Sequence, residues 1–212
     1  MTKPDNIFLF SKTSYSDVNH IPILQTSYLQ PQIDFSSYDY IIATSKEVFS
    51  ALDKIGSWNH LNVLAISEST ALAAKEHDAD ILDIAQGQGK DIVKLVEKKY
   101  SGLKGLYPHA SVVAFDVKSA LVKRDISIDS FIVYETSCSE HKPVELPFDA
   151  VCVFTSPSSI ECFLNVYEFL PSYKVVCIGE TTRSALPDGI DSYVSEIPSI
   201  KSTVACAKSL LR

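Results

Sequence analysis

The chain has 212 residues, a formal net charge of −7, 46% hydrophobic residues and 21% charged residues. That length suits two small α/β domains better than one, and the apolar fraction excludes a disordered chain. The acidic balance argues against general affinity for nucleic acid or anionic membranes, but leaves room for an anionic small ligand at a local site.

In chain order, Ile7–Phe10 is the first candidate strand, and its apolar stretch is too short for a secretory signal. Strands are then expected at Tyr40–Ala43, Asn62–Ile66, Ala79–Ile84, Ser111–Phe115, Ser130–Tyr134, Ala150–Phe154, Lys174–Ile178 and Ser192–Val194. Helical periodicity follows most of them, over 46–55, 69–77, 89–100, 116–124, 157–169, 181–186 and 199–211. Alternation of this kind predicts βα units and a largely parallel sheet. No apolar run approaches the ~20 residues that span a bilayer.

The five cysteines, Cys138, Cys152, Cys162, Cys177 and Cys206, contain no C-x-x-C pair. Cys152 and Cys177 sit within apolar runs, as small buried hydrophobes do. The odd count and missing signal segment point to a reducing compartment, so a cytoplasmic protein is expected.

A repeat organises the chain. Tyr40-Ile41-Ile42-Ala43-Thr44-Ser45 reappears as Val151-Cys152-Val153-Phe154-Thr155-Ser156, and Ile66-Ser67-Glu68-Ser69-Thr70 as Ile178-Gly179-Glu180-Thr181-Thr182. The offsets, 111 at Thr44 and Thr155 and 112 at Glu68 and Glu180, are nearly equal. Two copies of one α/β lobe follow. In each copy an apolar strand runs into hydroxyl residues and then a helix, where such residues cap free N–H groups of the first turn. Pro157 suits the first helical position, and Ser158-Ser159-Ile160-Glu161 matches a capping box. Open α/β sheets bind ligands outside the carboxyl ends of their strands, and helix starts there favour anions. Thr44, Ser45, Ser67, Ser69, Thr70, Thr155, Ser156, Ser158, Gly179, Thr181 and Thr182 are therefore candidate ligand contacts, and each also reads as an ordinary cap.

Other motifs fail. Gln86-Gly87-Gln88-Gly89-Lys90 resembles part of a phosphate loop, but Ile84 and Asp91 occupy positions where that loop needs Gly and Ser or Thr. His20, His60, His77, His109 and His141 show no metal-ligand spacing, so no metal is expected. No dinucleotide fingerprint or nucleophile elbow is present. Tyr134, in the strand-like run ahead of the second copy, could donate a phenolic proton to a leaving group, although spacing alone favours an ordinary strand tyrosine with its hydroxyl at the surface.

Together these segments, with Val133-Tyr134-Glu135-Thr136 and Phe154-Thr155-Ser156-Pro157-Ser158, resemble the uroporphyrinogen-III synthase family over almost the full length. The resemblance implies two similar flavodoxin-like α/β lobes, each a parallel sheet flanked by helices, joined by a two-stranded linker. Lobe one would be discontinuous, 1–24 plus 140–212, with lobe two at 36–130 and linkers at 25–35 and 131–139. It implies a cofactor-free lyase that cyclises hydroxymethylbilane, a linear tetrapyrrole polycarboxylate, with loss of water and inversion of ring D. Tyr134 matches the family's candidate acid. A monomer is expected, with no nucleic-acid or membrane partner. Ser11-Lys12, Pro108-His109 and Ser67 depart from residues common in the family. The competing reading is a non-enzymatic two-lobed module that closes around a small anion.

Overall fold

The computed structural model describes residues 6–140 and 142–211; Met1–Asp5, His141 and Arg212 lie outside the described residues. The chain divides into two compact units. One comprises the described residues up to Gln25 together with those from Ser137 onward, and the other is Thr26–Thr136.

The first unit holds β1 (Ile7–Phe10), β2 (Asn19–Ile21), β9 (Val151–Phe154), β10 (Lys174–Cys177) and β11 (Ser192–Val194) in the order β11-β10-β9-β1-β2. Every pairing in it is parallel. Its helices are α5 (Pro157–Leu164), α6 (Glu180–Arg183) and α7 (Ile200–Ser209). Alternate residues of β1 and β9 face opposite sides: Phe8, Phe10, Cys152 and Phe154 join one cluster, Ile7, Leu9, Val151 and Val153 the other. A strand covered on both faces must be apolar at every position, which is why these runs do not alternate with polar residues. Phe163 of α5 meets Phe10 and Phe154 edge-on at 4.9 and 5.2 Å, contacts worth about 0.5–1.5 kcal/mol each beyond buried area.

The second unit's sheet contains β3 (Leu24–Tyr28), β4 (Tyr40–Ala43), β5 (Asn62–Ala65), β6 (Ile81–Ile84), β7 (Gly105–Ala110) and β8 (Ile128–Cys138), ordered β3-β8-β7-β4-β5-β6. Strands β3 and β8 each cross the boundary between units along the chain. Helices α1 (Glu47–Leu52), α2 (Glu68–Glu76), α3 (Gly89–Lys99) and α4 (Val117–Val122) flank the sheet. Ile41 and Ala43 pack on one side with Phe49 and Trp58, and Tyr40 and Ile42 on the other with Ile92 and Leu121.

Three expectations are corrected, and two strands were not expected. Ser111–Phe115 is not a strand; the strand is Gly105–Ala110, just before it. Pro108 masks that strand in the sequence, since proline cannot donate to a ladder, but β7's register with β4 ends at Leu106 and leaves Pro108 beyond it. The capping box runs from Ser156 to Ser159, not from Ser158 to Glu161, because Pro157 sets the first helical residue. Helix α5 stops at Leu164, where the chain turns so that Tyr167 and Phe169 pack on Phe163. Finally, β2 and β3 are too short and polar to emerge from apolar runs. Cys138 at the end of β8 and Cys162 of α5 form a disulfide, a pair that spacing did not single out. Cys152 and Cys177 are buried thiols, pushed by burial up to about 12 and about 11.

Candidate active site

Each copy carries two turns at the carboxyl ends of adjacent strands, and the two turns differ in a consistent way. After β4, Ser45 Oγ accepts from Glu47 N at 3.2 Å; after β9, Ser156 Oγ accepts from Ser159 N at 3.2 Å. Ser156 is the N-cap of its helix, whereas Ser45 stands one residue ahead of the N-cap, Lys46, and binds the first helical N–H. After β5 and β10, the capping positions are Ser67 and Gly179, and neither side chain caps the helix start. Ser67 Oγ instead lies 3.2 Å from both Ser69 Oγ and Thr70 Oγ1. Thr70 and Thr182, equivalent in the repeat, are both buried. Ser156 Oγ also lies 3.0 Å from Ser158 Oγ, while Thr155 is half-buried and Thr181 exposed.

Within the second unit a cavity of about 450 Å³ is lined by Thr44, Ser45, Tyr107 and Tyr134, with Ile66, Gly87–Lys90 and residues of the 110–117 segment. Ser67, Ser69 and Thr70 are not in its wall, and the candidates from Thr155 onward belong to the first unit. Tyr134 is delivered to this cavity by a bulge. His109 pairs with Ile132 but Ala110 with Tyr134, so Val133 is the extra residue, a device that re-aims the side chains beside it. The Tyr134 carbonyl accepts from Ser111 N at 3.0 Å, which fixes the chain leaving β7.

Burial pushes the Tyr134 phenol above its ordinary range, the Glu47 carboxylate adds to this, and the Ser45 hydroxyl opposes it. Tyr28, which hydrogen-bonds Glu47, and Tyr107 are raised too, Tyr107 chiefly by burial. Thr44 Oγ1 lies 3.4 Å from the Tyr107 hydroxyl. A phenol held protonated beside hydroxyl groups can donate a proton and cannot serve as a base at neutral pH.

At the family departures, Ser11 is buried and donates to the Thr13 carbonyl at 2.6 Å, and the His109 ring stacks on Tyr107 at 4.7 Å. Sequence reasoning missed the Gly87–Lys90 and 112–115 contributions to the cavity. The first was set aside once it failed as a phosphate loop, although its place after β6 was the available signal. The second was hidden by being read as a strand. Among the described residues no group of three or more His, Cys, Asp or Glu could hold a metal, and no helix is long and apolar enough to cross a membrane.

Two α/β units, each with parallel strands flanked by helices, similar hydroxyl-bearing turns in both and a buried phenol on a cavity of the second define a duplicated α/β protein. The chain belongs to the uroporphyrinogen-III synthase HemD family, whose family model matches residues 16–205. Its activity is therefore that of a cyclising hydro-lyase of haem biosynthesis, closing hydroxymethylbilane with loss of water and inversion of ring D to give uroporphyrinogen III. The fold is similar to that of uroporphyrinogen-III synthetase from Helicobacter pylori, with a TM-score of 0.83 and 24% identity over 97% of this chain and 99% of that one. It is also similar to a mutant uroporphyrinogen III synthase from the extreme thermophile Thermus thermophilus, with a TM-score of 0.56 and 15% identity over 92% and 90% of the two chains. A comparison with curated proteins gives no match.

Proposed function

We propose that Tyr134 is the general acid of this reaction. Its phenol protonates the departing hydroxyl of hydroxymethylbilane, which leaves as water. The observation that carries this assignment is a buried, proton-retaining phenol lining a cavity with Thr44 and Ser45. Without an enzyme the reactive azafulvene closes directly to the type I isomer. Directing attack to the substituted carbon of ring D is mainly a matter of holding the chain in one geometry, and positioning of this kind can lower a barrier by about 7–11 kcal/mol.

The substrate's carboxylates are assigned to hydroxyl and backbone N–H groups rather than to many basic side chains, which reconciles a polyanionic substrate with a protein of charge −7. Thr44, Ser45, Ser67, Ser69 and Thr70 are the contacts offered by one unit; Thr155, Ser156, Ser158, Gly179, Thr181 and Thr182 are those offered by the other. The uncapped turns at Ser67 and Gly179 support backbone contacts there most directly. Segments 25–35 and 131–139 serve as linkers between lobes 1–24 plus 140–212 and 36–130. The enzyme works as a cytoplasmic monomer without cofactor, metal, nucleic acid or membrane; its acidity and lack of long apolar runs support this.

The test generates hydroxymethylbilane in situ, adds purified protein, oxidises the products and separates the uroporphyrin isomers. Type III product is expected to predominate. The same assay on Tyr134→Phe is expected to give type III product more slowly, and an undiminished rate from that folded variant would refute the assignment.

A further inference from the structure

We infer that Lys90, in a cavity wall it shares with the apolar Val112, Val113 and Phe115, is the cationic anchor that seats one carboxylate-bearing pyrrole ring of the substrate in the second unit's cavity. The inference rests on the synthase reading and adds a specificity-determining residue to it.

Of the residues lining the cavity, Lys90 alone is charged. It is exposed, and among the described residues it forms no ion pair or hydrogen bond. Three other lysines are engaged, Lys99 with Asp83 at 2.6 Å, Lys104 with Asp129 at 2.9 Å and Lys208 with Asp17 at 3.0 Å, and what marks Lys90 is its place as the charged residue of the cavity wall. Two acids adjoin the cavity segments in sequence, Asp91 beside Lys90 and Asp116 beside Phe115, and neither lines the cavity. Asp116 caps α4, accepting from Ser119 N at 2.9 Å and Ser119 Oγ at 2.6 Å, and Asp91 lines a separate depression with Lys94. An uncompensated cation on an otherwise neutral wall favours an anionic group.

The apolar wall is equally specific. Val112, Val113 and Phe115 are 85%, 36% and 41% exposed, a cluster of apolar side chains that the core does not absorb. Their placement explains the glycines of Gln86–Lys90 without any phosphate. A Cβ at Gly89 would stand 2.6 Å from Phe115 Cδ1, so only glycine lets that ring lie against the start of α3. Gly87 has φ +93°, in the region that favours glycine, and its N–H donates to the Ile66 carbonyl at 2.8 Å, holding the loop across the end of β5. A cavity of about 450 Å³ is near the small end for drug-sized ligands, which need about 300–1,000 Å³, so it accommodates a part of a linear tetrapyrrole rather than the whole. A ring with a flat apolar face and a carboxylate arm matches an apolar wall with one lysine. Tyr107 and Tyr134 close the same cavity, placing the seated ring beside the proposed acid.

The test is steady-state kinetics on hydroxymethylbilane with isomer analysis, comparing the wild-type chain with Lys90→Arg, Lys90→Ala, Lys90→Glu and Phe115→Ala. Lys90→Ala is expected to raise KM about five- to tenfold with kcat and the type III fraction unchanged, Lys90→Glu to raise it further, and Lys90→Arg to restore it. Phe115→Ala is expected to raise KM several-fold through a neutral contact and to keep the wild-type salt dependence, which Lys90→Ala loses. Type III product from the wild type with an unchanged KM for folded Lys90→Ala would overturn the anchor and leave the synthase reading standing. Only type I product from the wild type would overturn both. A kcat loss in Lys90→Ala that Lys90→Arg does not rescue would show a structural role and also overturn the anchor.

Discussion

At the scale of single residues, two tyrosines separate chemistry from packing. Tyr134→Phe keeps the ring that fills the β8 side of the core and removes only the hydroxyl, so turnover is expected to slow by tens- to a few hundred-fold while the product remains type III. Single-turnover rates with isomer analysis check this, and an unchanged rate would remove Tyr134 from the mechanism. Because burial raises its pKa, the phenol keeps its proton at neutral and mildly alkaline pH, and kcat is expected to show no loss from Tyr134 ionisation there. Tyr40 is the opposite case. Its hydroxyl is buried with no hydrogen-bond partner among the described residues, and burial carries its pKa up to about 12, with Asp39 adding. Tyr40→Phe is therefore expected to raise stability by about 1 kcal/mol, or about 2–4 °C in Tm. The folded state holds this proton more tightly than the unfolded chain, so the associated stability is intact below pH 10 and is lost as pH rises through about 12. Tyr40→Phe should flatten that alkaline loss, as denaturation curves taken across the window will show. The sequence alone could flag Tyr134 by its position ahead of the second copy. It could not distinguish Lys90 from any surface lysine, because what sets Lys90 apart is the absence of acids around a cavity.

Among the secondary-structure elements, the parts most legible in the sequence were those whose physics is local. β4 and β9 read correctly because strands buried on both faces are continuously apolar, and the repeat doubled that signal. Segment 111–115 has the same composition and misleads, since its valines and phenylalanine stand exposed beside the cavity rather than within a sheet. Composition reports that a residue is apolar, and only the tertiary fold decides what covers it. Helix α5 gives a direct test of a cap. Ser156→Ala removes the acceptor for Ser159 N and is expected to cost about 1 kcal/mol, measured by denaturant titration. Close by, the Cys138–Cys162 disulfide closes a loop of sequence separation 24 and ties the end of β8 to α5. Reducing it is expected to lower the stability of that unit by about 3 kcal/mol, read as a shift of its unfolding midpoint on adding dithiothreitol.

For the whole molecule, one feature governs how the chain comes into being. β1 pairs with β9 in the register Ile7↔Val151, while everything from Thr26 to Thr136 belongs to the other unit. A ribosome therefore delivers β1 and β2 long before their partners exist. At about 5–20 residues per second, the apolar Ile7–Phe10 strand waits several seconds for residue 151, with β2 its only available neighbour. The inserted unit has all its strands from β4 to β7 by then and can assemble first. Pulse-labelled hydrogen exchange during refolding is expected to show β4 and β5 gaining protection before β1; simultaneous protection would refute this order. β1, made before the other described strands, is thus among the last to be secured, and Ile7–Phe10 is the stretch whose exposure in the nascent chain most invites chaperone capture or aggregation.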